Sequence, residues 1–265
     1  MRNELAERIL AKTMNWSPEE LKNELEMLQM MSSLKYDEYQ QFTNGKQFVE
    51  SLALWLRRFP EEDRQCAYTF VKKNMVFISE KEMQQLISVV YEDFLKPRII
   101  KKARMHVKDE KFLGMESRGI YQYFLRKTLF LGLSDGAHMD YFRRSNNFLS
   151  NEQVFMHYDF SSEKYQDMLQ DMRAELEKRN PAWNMENENF STFVLIDDFS
   201  GSGISYIRKE SADSSIWKGK IYKFLESILE KCRTEECIDI HIILYIATRA
   251  AVDNIRKSVN AYIEE

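Results

Sequence analysis

The sequence predicts an α/β protein in two parts: an all-helical region over about residues 1–110 and a sheet domain over about 111–265. Three observations predict it. Glycine and proline are scarce, 8 and 4 in 265 residues, which suits a largely helical chain with few long loops. The first part repeats apolar residues at helical spacing almost throughout. The second alternates short β-branched and aromatic runs with helical stretches, the pattern of a parallel sheet with crossover helices.

In the first part, Ser17-Pro18-Glu19-Glu20 places a cap, a first-turn proline and two acids ahead of Leu21, Leu25 and Leu28. Phe48, Leu52, Trp55 and Leu56 continue at helical spacing, and Pro60 ends that segment and begins another at Glu61. Ser79-Glu80-Lys81-Glu82 is a capping box ahead of Met83, Leu86, Ile87, Val90 and Phe94. These stripes read as the core of a helical module.

In the second part, Thr128 to Leu133 reads as a strand, followed by a Ser134–His138 loop and an amphipathic segment from Met139 to Arg143. Val154 to Tyr158 is a second strand, and Ser161-Ser162-Glu163 opens a helix carrying Tyr165, Met168, Leu169 and Met172. Val194-Leu195-Ile196 is a third strand, apolar on both faces. A helix around Ile221–Leu229, a fourth strand from Ile238 to Ile246 and a helix over Ala250–Tyr262 complete the series. Ligands of such sheets sit at the carboxyl ends of strands, near the point where strand order reverses.

Asp197 and Asp198 stand where the third strand is expected to end. Ser200, Gly201, Ser202, Gly203 and Ser205 then bring small residues and hydroxyls into a turn, and Tyr206-Ile207-Arg208 reads as the opening of a helix. Glycines permit φ > 0 and close approach, and backbone N–H groups at a helix start attract anions. Paired carboxylates repel phosphate but accept hydrogen bonds from vicinal ribose hydroxyls, directly or through hydrated Mg²⁺. A sugar phosphate therefore suits the stretch better than bare phosphate. Walker A is excluded because Gly-Lys-Ser/Thr is absent, and the dinucleotide fingerprint because Gly-x-Gly-x-x-Gly is incomplete. The alternative is structural: a buried strand and an N-capped helix, with Asp198 and Ser200 as caps.

The run Val194 to Ser205 resembles the phosphoribosyl-pyrophosphate motif of type I phosphoribosyltransferases: apolar residues, two acids, two variable positions, a small residue, then Thr/Ser-Gly-x-Thr/Ser. Ser205 stands where Thr is commoner, and Ile204 is bulkier than usual. Over about residues 120–262 the resemblance implies a Rossmann-like parallel sheet of that family's topology. Its implied ligand is phosphoribosyl pyrophosphate, or a nucleotide containing its ribose 5-phosphate, with Mg²⁺. On this reading Asp197 and Asp198 are the catalytic and metal-holding carboxylates that take the ribose hydroxyls. Ser200, Gly201, Ser202, Gly203, Ile204 and Ser205 form the 5-phosphate loop. Ser134, Asp135, Gly136 and Ala137 fall where the family's pyrophosphate loop belongs, with His138 either a loop histidine or a ligand. Arg143, Lys164 and Arg249 are candidate partners of the diphosphate.

The motif's Phe-Ser-Gly-Ser-Gly and the lack of a base-recognising hood are similar to the phosphoribosyltransferase-like effectors of bacterial conflict and anti-phage systems, some accompanying retron reverse transcriptases. That similarity implies an effector acting on nucleotides. The alternative is a non-catalytic nucleotide-sensing or assembly subunit that works with a partner protein or nucleic acid. The chain ends soon after the fourth strand, from which we expect a shortened sheet or one completed by a partner protein.

Net charge is −4, from 38 basic and 42 acidic residues, so nothing global argues for nucleic acid. Arg98, Lys101, Lys102, Arg104 and Lys108 form a local basic cluster without interleaved aromatics, either a solvated face or a contact to nucleic acid or an acidic partner. Apolar runs fall short of the roughly 20 residues that span a bilayer, and the N-terminus lacks a signal peptide's apolar core. Cys66, Cys232 and Cys237 share no metal-ligand spacing with the four histidines. The expected setting is the reducing cytoplasm, with no membrane contact.

Overall fold

The computed structural model describes residues 2–39, 42–43, 47–107, 119–159, 161–211, 215–231 and 238–265. The domain boundary expected at 110/111, together with Lys108, Cys232 and Cys237, lies outside the described residues. The chain forms two compact units, Met1–Gln85 and Leu86–Glu265. Among the described residues no helix is long and apolar enough to cross a membrane.

The first unit is built from helices α1 (Arg2–Met14), α2 (Pro18–Met31), α3 (Phe48–Leu56) and α4 (Glu61–Asn74), and from the start of α5 (Glu80–Val89). A two-residue ladder pairs β1 (Glu38–Tyr39) with β2 (Phe42–Thr43). Both capping boxes form: Glu20 N–H donates to Ser17 Oγ while Ser17 N–H donates to Glu20, and Ser79 and Glu82 repeat the exchange. The apolar stripes meet in one cluster around Leu10, Leu52, Leu56 and Tyr68.

The second unit begins with the end of α5, a π-helical stretch over Val90–Leu95, α6 (Lys96–Val107) and α7 (Gly119–Arg126). Four parallel strands follow: β3 (Thr128–Gly132), β4 (Val154–Met156), β5 (Thr192–Ser200) and, after a small hairpin, β8 (Asp239–Ala247). Their order is β4-β3-β5-β8. Helix α8 (Met139–Ser145) follows β3, α9 (Ser162–Arg179) follows β4, and α10 (Lys220–Lys231) and α11 (Arg249–Glu264) flank β8 in the chain. Leaving β3 for β4 and then entering β5 on β3's other side makes the β3/β5 boundary the reversal point of the sheet.

Strand alternation divides the core. Leu129, Leu131, Phe193 and Leu195 face a cluster with α9, α10 and Ile255 of α11. On the other face Phe130 meets Phe142 of α8 at a ring separation of 5.4 Å. β5 is buried on both faces from Thr192 to Asp197, which is why its sequence is continuously apolar rather than alternating.

Two expectations are corrected. The third strand does not stop at Ile196: it continues to Ser200, because β8 keeps pairing with it through Asp197–Leu244, Phe199–Ile246 and Ser200–Ala247. Nor does a helix open at Tyr206. The chain turns at Gly203, whose φ of 78° puts it in the left-handed region, and enters a hairpin of β6 (Arg208–Lys209) and β7 (Trp217–Lys218). Tyr206 is buried there, its hydroxyl bonded inward, and the next helix waits until Lys220. The second strand is also shorter than expected, since His157–Asp159 forms a 3₁₀ turn.

Phe193 is fully buried between the strands and Phe224 of α10, with ring centroids 5.5 Å apart. Phe193→Ala should cost about 3–5 kcal/mol of stability in the second unit. Denaturant unfolding followed by a probe in that unit checks it.

Candidate functional site

The carboxyl ends of β3 and β5 converge. Leu133 N–H donates to Ile196 O at 2.8 Å, carrying the chain of the 134–138 loop alongside the acids. Because β5 is still a strand at these positions, its pleat sends successive side chains to opposite faces. Asp197 follows Phe193 and Leu195 toward α10. Asp198 follows Val194 and Ile196 toward the loop after β3.

Asp197 is fully buried, at 0% exposure, and its two oxygens accept four hydrogen bonds. Oδ1 takes the Ser134 hydroxyl and the N–H of Asp198, the latter at 3.2 Å. Oδ2 takes the Tyr206 hydroxyl at 2.8 Å and the Lys220 ammonium at 2.6 Å. Burial alone would push this carboxyl up, but the bonds from Lys220, Ser134 and Tyr206 together hold it below the usual aspartate range. Burial, reinforced by the bond to Asp197, raises the Tyr206 phenol, which therefore stays a donor at neutral pH.

Asp198 is half-buried and much less committed. Its Oδ1 accepts the Phe199 N–H at 2.7 Å. Its carboxylate lies so close to Gly136 that a Cβ at that position would overlap it. Gly136 is thus the residue that lets the loop after β3 approach this acid. That loop is a 3₁₀ turn, Asp135–Ala137, closed by Ala137 N–H to Ser134 O and held from β8 by the buried Tyr245, whose hydroxyl donates to Ala137 O at 3.1 Å. His138 follows with φ 49° and ψ 42°, a left-handed conformation that hands the chain to α8. Asp135 accepts the Tyr158 hydroxyl at 3.0 Å.

The serine–glycine loop braces itself and leans on α11. Ser200 is buried, and its hydroxyl accepts the Gly203 N–H at 3.1 Å. Ser202 Oγ accepts the Ile204 N–H at 3.4 Å. Thr248, the N-cap of α11, donates to Gly201 O at 2.6 Å, and Asn254 donates to Ser202 O at 3.0 Å. A Cβ at Gly203 would come within 2.6 Å of Ala251 O, so the first turn of α11 packs directly on the loop. From the other side Lys220 N–H reaches Ser205 O, and Ile221 N–H reaches Tyr206 O. Phe199 and Ile204 stand at the rim, 56% and 55% exposed.

The structure therefore brings the loop after β3 to both acids, Ser134 to Asp197 and Gly136 to Asp198, while the serine–glycine loop follows β5 and packs on α11. Of the expected diphosphate cations, Arg143 donates to Asn151 Oδ1, Lys164 lies 4.4 Å from the centre of the Phe155 ring of β4, and Arg249 is exposed in the first turn of α11, next to the Thr248 that bonds Gly201 O. Lys220, Tyr206 and Tyr245 were not singled out from the sequence. A lysine directly after Gly219 is a usable signal for the first: this glycine has φ 124°, and a Cβ there would strike the Tyr206 carbonyl.

Asp197→Asn removes the anion that Lys220 and Tyr206 serve and should cost about 2–4 kcal/mol at neutral pH. The sign with pH follows from linkage. A carboxyl held below its ordinary 3.8 stabilises the fold above that value and loses the contribution as pH falls through its lowered folded value. Stability of the wild type minus that of Asp197→Asn should stay level down to about pH 5 and shrink below pH 4. Urea unfolding of both proteins across this range checks it.

No curated protein and no solved structure matches the chain. The family model PRTase-CE matches residues 52–264, most of the length and all of the sheet unit's site. With a four-stranded parallel sheet, two acids at its reversal point and a serine–glycine loop behind them, the chain belongs to this phosphoribosyltransferase-type family.

Proposed function

We propose that the carboxyl-end site binds phosphoribosyl pyrophosphate, or a nucleotide carrying its ribose 5-phosphate, together with Mg²⁺. The observation that carries this reading is the division of labour between the acids: Asp197 is consumed internally, whereas Asp198 stands half-exposed between the two loops. Asp198 accepts the ribose hydroxyls. Asp197 is a positioning residue that fixes Ser134, Tyr206 and Lys220, and through them both loops.

The loop of Gly201, Ser202, Gly203, Ile204 and Ser205 holds the 5-phosphate with backbone N–H groups and serine hydroxyls, Ser202 turning from Ile204 to the ligand. Ser200 braces the loop from beneath. The Ser134–Ala137 turn lies against the diphosphate, with Gly136 keeping the approach open.

For the metal, the donor chemistry fits Asp198 and not Asp197, whose oxygens already hold an ammonium and two hydroxyls. Mg²⁺ favours one or two carboxylates plus phosphate oxygens and waters, and when bound it supplies charge neutralisation on the diphosphate. Transfer breaks the bond between the anomeric carbon and the pyrophosphate oxygen, and the pyrophosphate leaves with that electron pair. An acceptor atom forms the new bond at the same carbon. The chain's contribution is positioning, with the Asp198 carboxylate beside a ribose that gains positive charge.

The cellular role we attach to this activity is the one implied by the motif's likeness to anti-phage effectors, acting on nucleotides. A non-catalytic sensor is the second reading. The exposure of Phe199 and Ile204 at the rim favours it, since a covering partner would bury them.

Calorimetric titration of phosphoribosyl pyrophosphate with Mg²⁺ tests the site. Wild type should bind, and Asp198→Asn should weaken binding about tenfold or more while leaving the unfolding midpoint near wild type. A folded wild type that shows no heat of binding, or equal affinity in Asp198→Asn, would sink the reading.

A further inference from the structure

A second concave site lies at the opposite, amino end of the same strands. Thr192 begins β5 and Ser200 ends it, a span of about 26 Å, so this cavity is remote from the acids. It has a volume of about 350 Å³ between α6 and the starts of β5 and β8. Its charged lining is Arg98, Lys101 and Lys102 from α6, with Asp239 from β8. His241 of β8, Thr192 of β5, Ile99 and Met105 complete it.

Among the described lining residues the charges do not cancel. Lys102 is locked in place by Asp239 Oδ2 at 2.6 Å and Thr192 Oγ1 at 3.1 Å, with Ser191 Oγ at 3.3 Å. That pair spends the one carboxylate among the described lining residues. Arg98 uses one of its five N–H donors on the Phe94 carbonyl one turn back, and Lys101 is exposed. Two full positive charges therefore face a cavity with an imidazole, a hydroxyl and an apolar wall of Ile99 and exposed Met105. A guanidinium fork and an ammonium match a phosphate monoester, and the apolar wall with its polar edge suits a heterocyclic base. The volume is within the usual range of small-ligand pockets. A polynucleotide would instead call for cations and stacking rings spread along a groove, which this compact cavity does not offer.

We propose that this amino-end cavity is a second ligand site, taking a nucleoside monophosphate with its phosphate on Arg98 and Lys101 and its base against Met105 and His241. The site is independent of the carboxyl-end acids. His241 reports on it. Burial first, then Arg98 and Lys102, depress the imidazole's proton affinity against the opposing pull of Asp239, so a bound phosphate dianion reverses part of that depression.

Adenosine 5′-monophosphate is the probe, titrated by calorimetry into the full chain carrying Asp198→Asn, and again into the same chain with Arg98→Ala and Lys101→Ala added. Histidine NMR follows His241 through pH in each. The expected results are binding to the first protein, a weakening of about tenfold or more in the second, and an upward shift of the His241 midpoint on binding to the first only. Adenosine without phosphate should bind at least about tenfold more weakly. Equal affinity in the two proteins, or equal affinity for adenosine, would overturn the proposal while leaving the carboxyl-end reading untouched. A folded wild type that binds adenosine 5′-monophosphate as expected but gives no heat with phosphoribosyl pyrophosphate and Mg²⁺ would do the reverse.

Discussion

One buried carboxylate ties the carboxyl end of the sheet unit together. Asp197 lies at 0% exposure where β5 meets the loops, and a charge there is tolerable only because an ammonium, two hydroxyls and a backbone N–H converge on it. Each donor comes from a different stretch of chain. Ser134 brings the loop after β3, Tyr206 the far side of the serine–glycine turn, and Lys220 the start of α10. The network therefore specifies where three connections sit, and its low-dielectric setting makes any half-made version costly.

The pleat explains why the neighbouring acid differs so much. Had β5 ended before the acids, both carboxylates could have swung toward one ligand. Its continued pairing with β8 to Ser200–Ala247 keeps the alternation alive, so Asp197 serves the scaffold on one face and Asp198 meets the Gly136 turn on the other. The sheet's strand order places that turn and these acids at the reversal point, where parallel sheets open a crevice. The loops are then clamped from outside: Gly203 against the first turn of α11, and Ser205 and Tyr206 against the first turn of α10.

Much of this was legible in the residues. The Val194–Ile196 run, the second-half alternation and the capping boxes at Ser17 and Ser79 all express local chemistry that tertiary structure merely confirmed. The two acids also stand on β5, beside the β3/β5 boundary where the strand order reverses. What escaped was set by partners distant in sequence. The extra turn of strand past Ile196 depends on β8, more than forty residues on. The absent helix at Tyr206 depends on a hydroxyl drawn inward by Asp197, and the lysine that neutralises this acid sits 23 positions away. The amino-end basic cluster could be listed from spacing, but its curvature against Asp239 and His241 comes only from packing α6 on the sheet.

On our proposal adjacent acids serve separate ends, Asp197 the fold and Asp198 the ligand. A crystal structure of the chain with ribose 5-phosphate and Mg²⁺ tests it most directly. The account requires the ribose hydroxyls on Asp198 and the Lys220 ammonium still on Asp197. A ribose held by Asp197, with Lys220 displaced from it, would contradict the account.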